Sequence, residues 1–223
     1  MKLLAIDTSN TYLSLALSDG ENTRVFHEDV NQKHAERTLP ELHKLLAESQ
    51  LALSELDAIV FGQGPGSFTG LRIACGLAQG LAFAANLDVI AIPTLDSIAY
   101  QSRSGNVMVC MDARMHQVYC AQYQTGDTWQ RMGPIHLVTP EEWQAPEGVE
   151  HLAGDGFAAY PELLTHIPEL AEQAQTSLRP HALAYLELAR SGRYPKVHPR
   201  DAQLLYIRNK VALTVVEQQA SKR

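Results

Sequence analysis

Between Ile73 and Leu87 the chain carries no charged side chain, and Gln79 and Asn86 are the only strongly polar ones. The stretch has helical spacing. It follows a short apolar run at 58–61, read as a buried strand, and a glycine-rich loop, Gly62-Gln63-Gly64-Pro65-Gly66-Ser67. An ordinary surface helix carries a polar face, so this one calls for cover nearly all round. Its length and glycine content argue against a membrane span. Projection puts Ile73, Leu77 and Leu81 on one stripe and Ala74, Ala78 and Ala82, continuing from Gly70, on the next. Gly76 and Gly80 fall on a third side. The large stripe suits the domain's own sheet, whereas small residues let another helix approach closely. Each glycine costs about 1 kcal/mol relative to alanine in a helix interior, and a close helix contact is the simplest compensation. Two readings stand: a central core helix of one domain, or a subunit interface.

Composition narrows the setting. A chain of 223 residues holds one large domain or two small ones. The net charge of −7 speaks against nucleic-acid binding by the surface as a whole. Asp7 interrupts the apolar start before a leader peptide could form. Cys75, Cys110 and Cys120 lie in apolar elements without CxxC spacing, which reads as buried thiols in a reducing cytoplasm.

Along the chain, strands are expected at 3–6, 12–18 and 23–30, an antiparallel meander, followed by an amphipathic helix at 33–50. That helix puts Leu39, Leu42, Leu45 and Leu46 on one face, and Pro40 belongs in its first turn or at a kink. After the central strand, loop and helix come a strand at 89–92 and a helix at 94–101. The polar run Ser102-Arg103-Ser104-Gly105-Asn106 marks a boundary, giving domains 1–102 and 103–223, with the end of the chain free to return to the first. The second half restarts like the first: a strand at 107–111, Asp112, a turn at 113–117 and a strand at 118–123. Strand, aspartate, turn and strand thus occur twice, at Asp7 and at Asp112. The fold class is α/β, with two similar lobes, each a mixed sheet with helices.

Candidate chemistry is sparse. Asp7, leaving a strand beside Thr8 and Ser9, is placed to hold a metal-bound phosphate, or simply to cap its own loop as an Asx-turn. Gly64 and Gly66 precede a helix whose N-terminus could receive an anion, yet the loop matches no phosphate-loop pattern and lacks the lysine. No two of the nine histidines lie at i,i+3 or i,i+4, so a two-histidine metal helix is absent. Ser67 suits a helix N-cap better than a nucleophile. Arg190, Arg193, Lys196, Arg200, Arg208 and Lys210 against the single acid Asp201 make one basic segment, either a solvated face or a phosphate contact.

Four pieces in order, Ala5-Ile6-Asp7-Thr8-Ser9, Gly64-Pro65-Gly66-Ser67-Phe68-Thr69-Gly70-Leu71-Arg72-Ile73, Met111-Asp112-Ala113-Arg114 and Tyr206-Ile207-Arg208, resemble the TsaB (YeaZ) family across essentially the whole chain. The resemblance implies lobes like those of actin and sugar kinases. It implies a non-catalytic, cytoplasmic subunit without its own cofactor, in the bacterial system that makes threonylcarbamoyladenosine in tRNA. The implied partners are the catalytic paralogue TsaD, the ATPase TsaE and, for the chain alone, a second copy. Contact with tRNA is implied only indirectly or through the basic segment. The pairing surface expected from resemblance and projection together comprises Thr69, Gly70, Arg72, Ala74, Gly76, Ala78, Gly80 and Ala82, with Leu39, Leu42, His43 and Leu46 beside them. A vestigial cofactor site would use Asp7, Ser9, Gly64 and Gly66. Ser9, where related ATPases place glycine, argues against ATP turnover. A small-molecule kinase of the same fold is the alternative, and a peptidase finds no constellation.

Overall fold

Alternating apolar residues let the first 29 positions pair with themselves. β1 (Leu3–Asp7), β2 (Tyr12–Ser18) and β3 (Thr23–Asp29) form an antiparallel meander in which Leu3 faces Ser18 and Asp7 faces Ser14. The structure, a computed structural model, describes residues 1–208. α1 (His34–Glu48) leads to β4 (Ala58–Gly64), parallel to β1, and α2 (Phe68–Ala85) crosses to β5 (Val89–Pro93), parallel to β4. β1, β4 and β5 are apolar at consecutive positions because both faces of the sheet are covered. Leu4, Ile6, Ile59, Phe61 and Val89 cluster with α1 and α2, while Leu3, Ala5, Ala58, Val60, Ile90 and Ile92 point to the opposite face.

α3 (Thr94–Gln101) carries the chain into the second lobe. There β6 (Gly105–Asp112) and β7 (Val118–Thr125) pair antiparallel, and β8 (Gln130–Arg131) and β9 (His136–Val138) add to β7. β10 (His151–Ala153) lies parallel to β6, so β10-β6-β7 repeats the arrangement of β4-β1-β2. The short helices α4 (Gly156–Ala159) and α5 (Pro168–Ala171) follow. The chain then returns to the first lobe. α6 (Ala182–Arg190) lays Ala182, Tyr185, Leu186 and Ala189 on the open face of the first sheet, and β11 (Lys196–Val197) joins the edge at β5.

Two helices differ from the expected arrangement. In α2 the alanines, not the large residues, face the sheet: Ala74, Ala78 and Ala82 are at most 1% exposed, and Ile73, Leu77 and Leu81 are half-buried along the flanks. The sheet face beneath already presents Leu13, Leu15, Ile59 and Phe61, so only small helix residues fit against it. Ala74, Ala78, Ala82, Gly70 and Leu42 are therefore buried within the chain and cannot form a partner surface. Nor is the helix covered all round, since Arg72, Gly76, Gly80 and Phe83 are exposed. At 18 residues and a mean hydropathy of 1.3, α2 is long and apolar enough to cross a membrane, yet one side of it is built into this sheet. In α1, Pro40 sits inside the helix rather than in its first turn.

Candidate functional site

Of the two strand-end aspartates, Asp112 lines a cleft between the lobes, whereas Asp7 lies buried behind it. Asp7 is 1% exposed. Its Oδ1 accepts from the Ser9 amide (3.0 Å) and hydroxyl (2.8 Å), and its Oδ2 accepts from the Tyr185 hydroxyl on α6 (2.8 Å). Burial raises its pKa, opposed by these three hydrogen bonds. A side chain on Gly62 would overlap Asp7 Oδ2 and the Tyr185 hydroxyl, which is why β4 carries glycine there. The Asx-turn reading describes Asp7, and its carboxylate is not open to the cleft.

The glycine loop is also engaged. Ser67 caps α2 by accepting from the Gly70 amide (3.3 Å). Gly64, at φ +112°, lies against the Leu205 carbonyl, where an added Cβ would sit 2.7 Å away. Of the four residues read as a cofactor site, Ser9 and Gly66 line the cleft, whereas Asp7 and Gly64 are turned into packed surroundings.

The cleft itself has a volume of about 650 Å³. Its first-lobe wall carries Asn10, Thr11 and Gln32, and its second-lobe wall carries Asp112, Arg114, Asp155, Arg179 and Arg208. Asp155 Oδ1 accepts from the Asp112 amide (3.0 Å), and its Oδ2 meets Arg179 Nε at 3.3 Å. Burial raises the Asp155 pKa, offset in part by these donors. Among the described residues no cluster of three or more His, Cys, Asp and Glu could hold a metal ion.

A second candidate is the outer side of α2. Thr69, Arg72, Gly76 and Gly80 are exposed along it, Leu39 and His43 are exposed on α1, and Leu46 is half-buried. A Cβ added at Gly76 or Gly80 would meet nothing within 4 Å, and Phe83, one turn on, is 74% exposed. These glycines relieve no crowding inside the chain.

The basic segment is partly bonded to the chain's own groups. Arg190 bonds Glu187 and Ser18, Arg193 donates to the Trp129 carbonyl (2.7 Å), and Lys196 to the Asp57 carbonyl (3.2 Å). Arg208 is bonded to the turn after β6, Arg200 remains exposed beside Asp201, and Lys210 lies outside the described residues. Arg193, Lys196 and Arg200 nonetheless stay exposed, so part of the segment is a solvated basic face.

The spacing of motifs gave no sign of two buried contributors. Tyr185 closes over Asp7 from 178 residues away. Asp96, on α3, gathers Tyr123 (2.8 Å), Tyr194 (2.8 Å) and Arg131 (3.2 Å) from three separate segments.

A protein-family model described as "TsaD: tRNA N6-adenosine threonylcarbamoyltransferase" matches residues 23–214. The chain is 34% identical to the "tRNA threonylcarbamoyladenosine biosynthesis protein TsaB" of Haemophilus influenzae, covering 95% of each chain. The chain belongs to the TsaB family. Its similarity to the TsaB of Escherichia coli is 35% over 73% of this chain and 75% of that one. A solved structure described as "YeaZ from Pseudomonas aeruginosa" superposes with a TM-score of 0.82 at 35% identity, covering 92% of this chain and 99% of that one. The TsaB family's fold is thus this pair of actin-like lobes, each a mixed sheet flanked by helices.

Proposed function

We propose that the chain is an accessory subunit in the cytoplasmic synthesis of threonylcarbamoyladenosine in tRNA, holding and activating a catalytic TsaD-type paralogue. The names of the Haemophilus influenzae and Escherichia coli relatives, tRNA threonylcarbamoyladenosine biosynthesis proteins, support the pathway. The observation that carries the accessory role is the open Gly76–Gly80 stripe of α2 ending at Phe83, next to Leu39 and His43 of α1. Exposed helix glycines with no contact inside the chain, beside an exposed phenylalanine, suit close packing against a second helix pair. A paralogue built on the same lobe offers such a pair. Without it, a second copy of this chain takes the same face in a two-fold dimer, and the ATPase TsaE is proposed to join at the junction with the paralogue. Sealing of Asp7 by Tyr185 argues against phosphate chemistry in this chain.

The test is Gly80→Arg combined with Phe83→Asp. Both positions are exposed, so the lobe should keep its circular dichroism and melting behaviour. Co-purification with the paralogue should be lost, and tRNA from cells carrying only this variant should lack the modification. A folded variant that still binds its paralogue at wild-type affinity removes the pairing from this face.

A further inference from the structure

After a single 3₁₀ turn at Pro199–Asp201, the chain runs back between the lobes and touches both. On the first-lobe side the Leu205 amide donates to the Gln63 carbonyl (2.9 Å), and Gln63 Nε2 donates to the Gln203 carbonyl (3.1 Å). Leu204 packs on the core beneath α2. Leu205 and Ile207 pack instead on the second-lobe core. Tyr206 lies on the outside against Phe68, with ring centroids 6.1 Å apart, and the Arg72 guanidinium stands 5.4 Å from its ring.

The segment ends on an unusual turn. Arg114, Met115 and His116, which join β6 to β7, all have positive φ (60°, 57° and 55°), and none is glycine. Side-chain-bearing residues hold such a backbone only where surrounding contacts over-determine it. Here Arg208 does so from one side. Its Nη2 donates to the carbonyls of Ala113 (3.0 Å) and Arg114 (3.1 Å) and to Gln117 Oε1 (2.7 Å), and its Nη1 touches Met115 Sδ at 3.3 Å. From the other side the Tyr160 hydroxyl donates to Asp112 Oδ1 (3.2 Å), which also accepts from the Arg114 amide (2.7 Å), and the Tyr160 ring meets the His116 ring edge-on with centroids 5.3 Å apart. A planar guanidinium can serve several convergent acceptors at once, which an ammonium group cannot do in one plane.

We propose that residues 203–208 are a strap that fixes the width of the cleft, with Arg208 as its latch on the β6–β7 turn. Elsewhere the lobes are joined by Asp96 with its partners Tyr123, Arg131 and Tyr194, and by Arg193 on the Trp129 carbonyl. The strap adds a tie at the cleft itself, across the glycine loop. A tie at the mouth opposes opening there, which contacts remote from the cleft do not. Gly64 belongs to this device: its missing side chain makes room for the Leu205 carbonyl, so the glycine serves the chain's own strap. This inference does not depend on the pairing face of α2.

The experiment is hydrogen exchange by mass spectrometry on the full chain, comparing wild type with Arg208→Ala and Gly64→Ala. One variant frees the second-lobe end of the strap, and the other displaces it from the first lobe. Both should speed exchange at least tenfold in 112–118 and in 62–66, with β1 and β2 unchanged. A companion measurement places spin labels at Gln32→Cys and Glu162→Cys, exposed positions on opposite lobes. The native cysteines are buried. The distance distribution should be narrow in wild type and broaden in Arg208→Ala. Unchanged exchange in 112–118 together with an unchanged distance distribution overturns the proposal. So does acceleration that reaches β1 and β2 equally, since that reports a general loss of stability.

Discussion

Replacing both Gly76 and Gly80 with alanine separates what α2 does for its own lobe from what it does for a partner. Neither position has a neighbour that a Cβ would meet within 4 Å, and neither has a positive φ. Alanine is favoured over glycine in a helix interior by about 1 kcal/mol, so the double variant should stabilise the isolated lobe by about 2 kcal/mol. For a chain of this size that raises the melting temperature by roughly 4–8 °C. Across a close helix contact the same two methyl groups have no room. Overpacking costs typically about 1–3 kcal/mol per site, and a two-fold dimer counts each substitution twice. Association should weaken by at least about tenfold, since 1.4 kcal/mol is a factor of ten. Melting should be followed in dilute solution, where the chain is monomeric, and association by sedimentation over a concentration series. Higher stability with undiminished or tighter association would refute the argument, because it would mean the glycines do not lie at a closest approach. A stability unchanged from wild type would refute the helix-propensity half. Ala78→Arg is a useful contrast: Ala78 is 0% exposed against the sheet, so that variant should fail to fold and tell nothing about pairing.

Tyr185→Phe should cost about 1–3 kcal/mol, because it leaves a buried Asp7 oxygen without its donor; a urea midpoint within error of wild type would show that the hydroxyl is dispensable. Gly62→Ala should lower the urea midpoint, by about 1–3 kcal/mol or more, since the new methyl group overlaps Asp7 and Tyr185. A fully stable Gly62→Ala protein would contradict the packing described. Stability should also fall as pH drops from about 6.5 toward 4. His27, stacked between Tyr12 and His181, is held to a pKa of about 4 by burial and by His181, so the folded chain resists a proton that the unfolded chain accepts. The stabilisation is present above 6.5 and is lost on acidification, and His27→Phe should flatten that slope in melts at pH 7 and 4.5. Equal slopes in variant and wild type would exclude His27 as the source.

How much of this was readable beforehand depends on whether a feature is local. The meander, the strands β4 and β5, the Ser67 cap and the second start at Asp112 all follow from alternation, short apolar runs and turn residues within short windows. The orientation of α2 was not readable in that way. Projection groups alanines against leucines, but which group meets the sheet depends on the combined bulk of Leu13 and Leu15 on β2 and Ile59 and Phe61 on β4. Asp7 shows the same limit, since its neighbours suggest a ligand while its occupant, Tyr185, comes from another lobe's end of the sequence. The short strands β8, β9 and β11 are two or three residues long, too brief for any periodicity to register. Charge counting could not foresee the internal bonds of the segment from Arg190, because a count cannot tell a free guanidinium from one bonded to a carbonyl.

The return of α6 to the first sheet bears on the order in which the protein can be made. Leu3, Ala5, Ala58, Val60, Ile90 and Ile92 are all synthesised by residue 92, but the helix that covers them begins at Ala182. At about 5–20 residues per second, some 90 residues take roughly 5–18 s. Through that interval one face of the sheet formed by β1 to β5 lacks its cover from α6. A nascent protein in this state presents an apolar surface to chaperones or to other nascent chains. The first lobe becomes a completed folding unit only when α6 and β11 have left the ribosome.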